Sequence, residues 1–434
     1  MGKYCALLLL LLSLSAITHS ASGQVAMQKD SAEVYYLQAH DDYAAGLYDV
    51  AASKLRMLAE GGHADAQYDF GLCCYNGVGV VQDPYEAVRW FRMAAEAGLA
   101  DAQYTLGRCY EQGDGVARSI DNAVEWYGKA AIQGYAQALC AMGVLYYSGT
   151  GVEQDYLVAT ELFTRAANKG DADAMSYLGT CFAKGYSVEQ DDYEAVRWYM
   201  KAAEQGHAEA IYNLGGCYDA GVGVDWDPDK AMELYEQAAE LGLPVAQLEL
   251  AIHYMGTGRK IDEDKALEWL YEAVDQGYAD AQYLLAQMYY EGRILPKEYA
   301  KAVKWFKSAA AQGHTDAQCD LGFCYLVGHG TLRDKEMAVR WFVHAAELGN
   351  VRAQHNIGVC YYEGLGLQQS YTEAVKWFEL AADNGYPDAL YYLGVCYNNG
   401  QGVEADRSTA VKLLRSAKKL GSVEAKEALK VLSE

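Results

Sequence analysis

The sequence predicts an all-α fold in which helical hairpins stack into a solenoid, and three observations support this prediction. A 36-residue segment recurs ten times in register, its apolar residues follow the helical period, and glycines recur at fixed places within it. Self-similarity at such a period is typical of supersecondary units that bury their apolar faces against their neighbours. The repeats begin at Ala64, Ala100, Ala136, Ala172, Ala208, Pro244, Ala279, Thr315, Val351 and Pro387.

The N-terminal segment before the repeats divides into two parts. Residues 1–23 contain a lysine, an apolar run and then small residues, which is the form of a secretory signal peptide. Residues 24–63 predict a divergent capping hairpin, with small and aromatic residues at the spacing of tetratricopeptide repeats. We therefore expect an exported protein, secreted or periplasmic, or resident in the ER lumen if its source is eukaryotic.

The first helix of each repeat is predicted from repeat positions 3, 7, 8 and 11, counted from the first residue of the repeat. In the first repeat these are Ala66, Phe70, Gly71 and Cys74, and position 11 is aromatic in the other nine. Position 3 is alanine in all ten repeats and position 8 is glycine or alanine, so two helix backbones can approach closely. Glycine at position 14, such as Gly77, can adopt a positive φ and end the helix.

The second helix begins after an N-cap residue at position 20, which is Asp, Ser or Glu in every repeat and Asp83 in the first. It contains alanine at position 24 and ends at the glycine of position 35, Gly98 in the first repeat. An acidic residue at position 2, such as Asp65, suits the positive end of the first helix dipole. Residues 64–422 therefore predict ten hairpins, and residues 423–434 supply a C-terminal capping helix.

The chain is strongly acidic, because 35 Lys and Arg oppose 59 Asp and Glu for a formal net charge of −24. Nucleic acids and anionic membrane surfaces both require a basic surface, so we expect neither as a partner. No segment after the N-terminus is long and apolar enough for stable membrane insertion.

The consensus LGxxYxxGxGVxxDxxxAxxWxxxAAxxG resembles the Sel-1-like repeat, a relative of the tetratricopeptide repeat. The resemblance covers residues 64–422, with departures in the loop of the sixth repeat and at Ile294 in the seventh. It implies a right-handed α-solenoid and an adaptor, regulatory or assembly role. The disulfide of the cysteine-rich bacterial members, one bridge within each repeat, is absent from the spacing here.

The cysteines and tryptophans mostly recur at the repeat period, which indicates packing. Seven cysteines share position 10 and seven tryptophans share position 27. We interpret the cysteines as buried free thiols, with Cys109–Cys140, and Cys319 with a neighbour, as the disulfide alternatives. His63 and its equivalents at position 36 are interpreted as solvated turn residues. No spacing predicts a metal site, a cofactor or a catalytic residue.

A stripe along the first helices is the candidate binding surface. Positions 2, 5, 9 and 12 share one helix face, and the corresponding positions of related tetratricopeptide arrays line the concave groove. Tyrosine there suits a partner surface, although the same rings can instead pack between repeats. Trp226 joins this set as the tryptophan outside position 27, within the loop sequence Asp225-Trp-Asp-Pro-Asp. The candidate residues are Tyr68, Tyr75, Tyr104, Arg108, Glu111, Tyr147, Tyr212, Tyr283, Tyr290, His355, Tyr362, Tyr391 and Trp226.

These observations predict a non-enzymatic, extracytoplasmic scaffold that holds a protein or peptide on the concave face. Two alternatives stay open. One is a β-lactam-binding or weakly hydrolytic protein of the cysteine-rich type, which the resemblance suggests. The other is a purely structural spacer, in which the tyrosines only fill space between repeats.

Overall fold

The computed structural model describes residues 23–256 and 260–433, and within them it contains 23 α-helices and no β-strand. The predicted all-α architecture of hairpins is confirmed. Apart from Gly23, the predicted signal peptide lies outside the described residues. No helix in these two ranges combines the length and the apolar character that a membrane crossing requires.

The helices belong to two compact bodies, and each is described by itself. The first body comprises the described residues through His207 together with Val222–Val224. Its helices are α1 (Gly23–Ala44), α2 (Tyr48–Glu60), α3 (Ala64–Asn76), α4 (Pro84–Glu96), α5 (Ala100–Gln112), α6 (Ile120–Ile132), α7 (Ala136–Ser148), α8 (Tyr156–Ala167), α9 (Ala172–Lys184) and α10 (Asp192–Ala203).

The second body comprises Ala208–Gly221 and the described residues from Asp225 onward. Its helices are α11 (Ala208–Ala220), α12 (Pro228–Glu240), α13 (Pro244–Gly256), α14 (Lys260–Asp275), α15 (Ala279–Glu291), α16 (Tyr299–Ala311), α17 (Thr315–Val327), α18 (Lys335–Glu347), α19 (Val351–Glu363), α20 (Tyr371–Asp383), α21 (Pro387–Asn399), α22 (Arg407–Lys419) and α23 (Val423–Ser433). Within each body, a helix packs against the neighbouring helices in sequence that belong to the same body.

The core of each hairpin forms where a small residue of the first helix meets a ring of the second. The alanines at positions 3 and 24, such as Ala66 and Ala87, are fully buried. The ring at position 28, Phe163 in the third repeat, is also fully buried and lies against the glycine at position 8. The tryptophans at position 27 flank this core, and Trp90, for example, is half-buried against it.

The helix ends follow the predicted cap chemistry. Gly77 adopts φ 70° in the left-handed region and ends α3, while Asp83 accepts hydrogen bonds from the amides of Tyr85 and Glu86 at the start of α4. A second left-handed residue occurs at position 16, where Ser187 and Ile294 keep a positive φ without being glycine. The backbone of this loop is therefore retained even where the sequence departs from the glycine pattern.

Candidate functional site

Most residues of the predicted stripe lie in two rows of side chains, and members of each row contact the next repeat. The position-12 row comprises Tyr75, Tyr147, Tyr290 and Tyr362, all half-buried. The position-5 row comprises Tyr68, Tyr104, Tyr212, Tyr283, His355 and Tyr391; all are half-buried except His355, which is buried. Both rows lie on first helices, as the helical spacing predicts.

The position-12 row reaches position 15 of the following repeat. The Tyr290 hydroxyl lies 2.9 Å from Nδ1 of His329, and the Tyr362 hydroxyl donates to Oε1 of Gln401 at 2.9 Å. Tyr75 donates in the same way to the carboxylate of Asp114, and the Tyr147 ring meets the Tyr186 ring edge-on with centroids 5.8 Å apart. These four tyrosines therefore connect consecutive repeats.

Aromatic stacking reinforces the same loop-to-loop contact. The Tyr156 and Tyr186 rings stack with centroids 4.4 Å apart, and the Tyr299 and His329 rings stack at 4.3 Å. Burial raises the pKa of Tyr290 to about 12. The rings at these loops form clusters that belong to the packing between repeats.

Two members of the position-5 row reach position 6 of the following repeat. The Tyr283 hydroxyl donates to Oδ2 of Asp320 at 3.0 Å, and the Tyr68 hydroxyl lies 3.2 Å from Oγ1 of Thr105. The capping helix α1 repeats this arrangement, because Tyr36 donates to Oδ2 of Asp69 at 2.6 Å. The remaining members pack by their rings, Tyr104 against Tyr127 and Tyr135, Tyr212 against Tyr235, and Tyr391 against Tyr392.

Three predicted residues have other environments. His355 is only 8% exposed and packs among Phe378, Tyr386 and Tyr392, and burial lowers its pKa to about 4. Its ring is therefore not accessible to a partner. Glu111 accepts a hydrogen bond of 2.6 Å from the Tyr127 hydroxyl, whereas Arg108 is exposed beside it.

A groove of about 300 Å³ lies in the second body on the first helices of repeats 7 to 9. Its lining includes Gln287, Tyr290, Phe306, Asp320, Phe323 and Arg352. Phe323 is 42% exposed, so an aromatic ring faces solvent in this groove. The Arg352 guanidinium contacts Asp320 at 2.9 Å and Asp316 at 3.2 Å, and burial raises the pKa of Asp320. Of the predicted residues, only Tyr290 lines it.

A second cavity of about 460 Å³ lies in the first body, where α1 and α2 meet α3. His40 and Asp69 line it, with His40 Nε2 3.0 Å from Asp69 Oδ2. The hydrogen bond to Asp69 raises the pKa of His40. The Tyr36 hydroxyl donates to the same carboxylate, so Tyr36, His40 and Asp69 already hydrogen-bond to one another within the protein.

The thiols are buried as predicted. Nine of the ten described cysteines are buried free thiols, including the Cys109, Cys140 and Cys319 of the disulfide alternatives, and Cys217 is half-buried. Burial raises the pKa of Cys109 to about 11 and that of Cys319 to about 12, which disfavours the reactive thiolate. Across residues 23–256 and 260–433, no three His, Cys, Asp or Glu side chains converge as metal ligands.

Position 4 carries a glutamine row that the sequence analysis missed. Gln103 donates to the Ala95 carbonyl at 3.1 Å and accepts from Gln133 at 2.8 Å, and it is buried. Gln67, Gln247, Gln318 and Gln354 make the equivalent bond to the preceding hairpin. A glutamine directly after the buried alanine of position 3 was the available signal, because buried amides require partners.

The prediction that the histidines at position 36 are solvated turn residues is wrong. The side chains of His207 and His314 are each 14% exposed. His314 Nδ1 accepts a hydrogen bond from the Ala317 amide at 3.1 Å and so caps α17. Its Nε2 faces Asp280 at 3.3 Å, and His207 faces Asp173 at 2.8 Å. A ring that caps one helix and contacts another is held out of solvent.

Known proteins of similar sequence and structure agree with this architecture. A model of the Sel1 repeat matches residues 64–99, 100–135, 136–171, 172–207, 208–243, 244–278, 279–314, 315–350, 351–386 and 387–422. The chain is similar to a protective antigen present in uropathogenic Escherichia coli strains, with 32% identity over 94% of this chain and 89% of that one and a TM-score of 0.58. It is also similar to a Sel1 repeat protein from Oxalobacter formigenes, with 34% identity over 55% and 96% of the two chains and a TM-score of 0.52. No curated protein matches at a significant level.

Proposed function

Because this chain belongs to the Sel1 repeat family, we propose that it is an extracytoplasmic protein-interaction scaffold whose first helices hold a protein or peptide. The observation that carries this proposal is the groove of repeats 7 to 9, where Phe323 is exposed. Binding energy at protein interfaces concentrates on a few aromatic and arginine anchors in such recesses. The tyrosine rows support the groove because they fix the repeats that form it.

The charge of the groove helices favours a partner with a basic surface. Helices α15, α17 and α19 carry five acidic side chains and one basic side chain, Arg352. The intervening helix α16 carries three lysines and no acidic residue. Opposite charges steer association and select the orientation of docking. The first-helix surface of this region therefore suits a basic partner better than its second-helix surface does.

Site-specific photo-crosslinking tests the proposal. A benzoyl-phenylalanine is introduced at Phe323 in the groove or at Leu380 on α20, positions with 42% and 48% exposure. After irradiation in the native compartment, adducts are identified by mass spectrometry. We expect a recurrent protein adduct from position 323 and none from position 380. Equal capture at both positions would contradict the groove, and no adduct at either would favour the structural spacer.

Export by the N-terminal signal peptide remains part of the proposal. It is supported by the lysine, the apolar run and the small residues within residues 1–23. N-terminal sequencing of the protein recovered outside the cytoplasm is expected to begin close to residue 24. An intact N-terminus in the cytoplasmic fraction would contradict export and would leave the groove proposal standing.

A further inference from the structure

Trp226 stands where other repeats carry a side chain that completes a helix end. At position 19, Gln82 donates to the Tyr75 carbonyl at 3.0 Å, and Arg333 donates to the Leu326 carbonyl at 2.9 Å. Arg118, Gln154 and Gln369 make the same bond to the last turn of their first helices. These bonds satisfy carbonyls that a helix end leaves free. Trp226 is instead 67% exposed and makes no hydrogen bond to any described side chain or carbonyl.

The charges around Trp226 are acidic and mostly unpaired. The Asp227 carboxylate is the N-cap of α12 and accepts a hydrogen bond of 3.0 Å from the Lys230 amide. Asp225 and Asp229 are exposed and form no ion pair with the described residues. The nearby Lys230 ammonium pairs with Glu233 at 2.9 Å. The turn thus carries an exposed indole and two exposed carboxylates that form no ion pair with the described residues.

Tryptophans elsewhere in this chain already carry a cation. The Lys129 ammonium lies 3.7 Å from the Trp126 ring centroid, and Lys201 lies 3.7 Å from that of Trp198. A cation over an indole face is attracted by the ring quadrupole, and a guanidinium also stacks flat on the ring. A guanidinium on Trp226 could in addition donate to the carboxylates of Asp225 and Asp229. A planar cation therefore matches the exposed indole and carboxylates of this turn.

We propose that Trp226, Asp225 and Asp229 form a binding site for an arginine side chain in a basic segment of a partner protein. That the ligand is a partner protein rests on the proposed scaffold function. Binding of an arginine side chain to this turn can be tested without that function. The site lies on the turn between α11 and α12 and is separate from the groove of repeats 7 to 9. A partner that occupies the groove could use this turn as a second anchor, which would strengthen binding through effective concentration.

Fluorine NMR of the full chain labelled with 5-fluorotryptophan tests the site. The chain has eight tryptophans, and the Trp226 signal is assigned by its loss in Trp226→Gln. The probe is acetyl-Gly-Arg-Gly-Arg-Gly-amide, and the control probe carries citrulline, which is neutral, in place of arginine. We expect a saturable shift of the Trp226 signal with the arginine peptide and a smaller or absent shift with citrulline. Trp226→Gln restores the residue type that other repeats use, so it also serves as the folding control.

A matched pair of charge variants separates a local site from the field of an acidic protein. Asp225→Asn with Asp229→Asn is expected to weaken the arginine peptide about tenfold, as loss of a charge-assisted anchor does. Glu379→Gln with Asp383→Asn removes the same charge from exposed positions of α20 and is expected to change binding less than twofold. Equal weakening by both pairs, an equal shift with citrulline, or no shift would overturn the proposal. Crosslinking at position 323 in any of these cases would leave the scaffold function intact.

Discussion

The contact between a glycine and a ring inside each hairpin makes a sharp prediction for Gly143→Ala. Gly143 lies in α7, and a Cβ placed there would be 2.5 Å from Cε1 and 2.7 Å from Cδ1 of Phe163. Ordinary contacts between carbon atoms are about 3.5–4.0 Å. Phe163 is fully buried, so its ring cannot turn into solvent to relieve the contact.

The expected effect is the difference between two opposing terms. Overpacking a core with one methyl group costs about 1–3 kcal/mol. Replacing glycine by alanine inside a helix contributes about 1 kcal/mol of stability in return. The difference is a loss of about 0–2 kcal/mol in the free energy of unfolding, and the 2.5 Å contact with a buried ring places Gly143→Ala toward the upper end of that range. The seventh repeat has Ala286 at position 8 and Phe306 at position 28. A hairpin of this kind can therefore accept a methyl group at position 8 when the spacing between its two helices allows it.

Gly128→Ala is the matched control, because it is the same substitution on a neighbouring helix. Gly128 lies in α6, and a Cβ there would meet no atom within 4 Å. It is therefore expected to stabilise the protein by about 0.5–1 kcal/mol. The two variants should change stability in opposite directions.

Hydrogen exchange measures the effect where it arises. A repeat protein need not unfold in one step, so urea unfolding followed by circular dichroism is combined with exchange of the α7 and α8 amides. Faster exchange in Gly143→Ala and slower exchange near Gly128→Ala are expected. If Gly143→Ala were as stable as the unmodified chain, the position-8 contact would not determine hairpin spacing, and the reasoning above would be refuted.

Two further predictions concern buried polar groups. His355 has a folded-state pKa of about 4 against about 6.5 when unfolded, so lowering the pH from 6.5 to 4 protonates the unfolded state first. This should remove about 3 kcal/mol from the free energy of unfolding, measured by urea unfolding at both pH values. His355→Phe should not show this loss, and identical pH profiles of the two proteins would contradict the prediction. Gln103→Leu removes one of two hydrogen bonds to the Ala95 carbonyl, which keeps the bond from the Gly98 amide at 3.0 Å, and should cost about 0.5–1.5 kcal/mol in the same assay. Gln112→Leu, at an exposed position of α5, should change stability by less than about 0.5 kcal/mol. An unchanged stability of Gln103→Leu would show that the amide bond contributes little.

The hairpin and its caps were predictable because they depend on residues close together in sequence. Gly77 and Asp83 adopt the predicted conformations, since a glycine and an N-cap act within one turn of their own helix. The positions of the first helix that are buried also follow from its 3.6-residue period. The buried thiols follow for the same reason, because position 10 lies on the inward side of that helix.

The contacts that the tyrosine stripe makes with the next repeat were not predictable, because they depend on the register between repeats. The helical period places Tyr283 on the open face but does not show that its hydroxyl meets Asp320 of the next hairpin at 3.0 Å. Helix-face periodicity likewise did not distinguish the buried His355 from the exposed Phe323, which lies in the groove. Trp226 was separable from sequence because it breaks the repeat pattern.

The position-12 row has a consequence for how a chain of this kind changes length. Its tyrosines lie in repeats 1, 3, 7 and 9, and their partners at position 15 lie in repeats 2, 4, 8 and 10. Removing the fourth repeat alone would bring Val222 opposite Tyr147 in place of Tyr186. Removing the third and fourth together would leave every other pair intact. Each of these four contacts joins an odd-numbered repeat to the even-numbered repeat that follows it, so we expect loss of the third and fourth repeats together to be tolerated better than loss of the fourth alone.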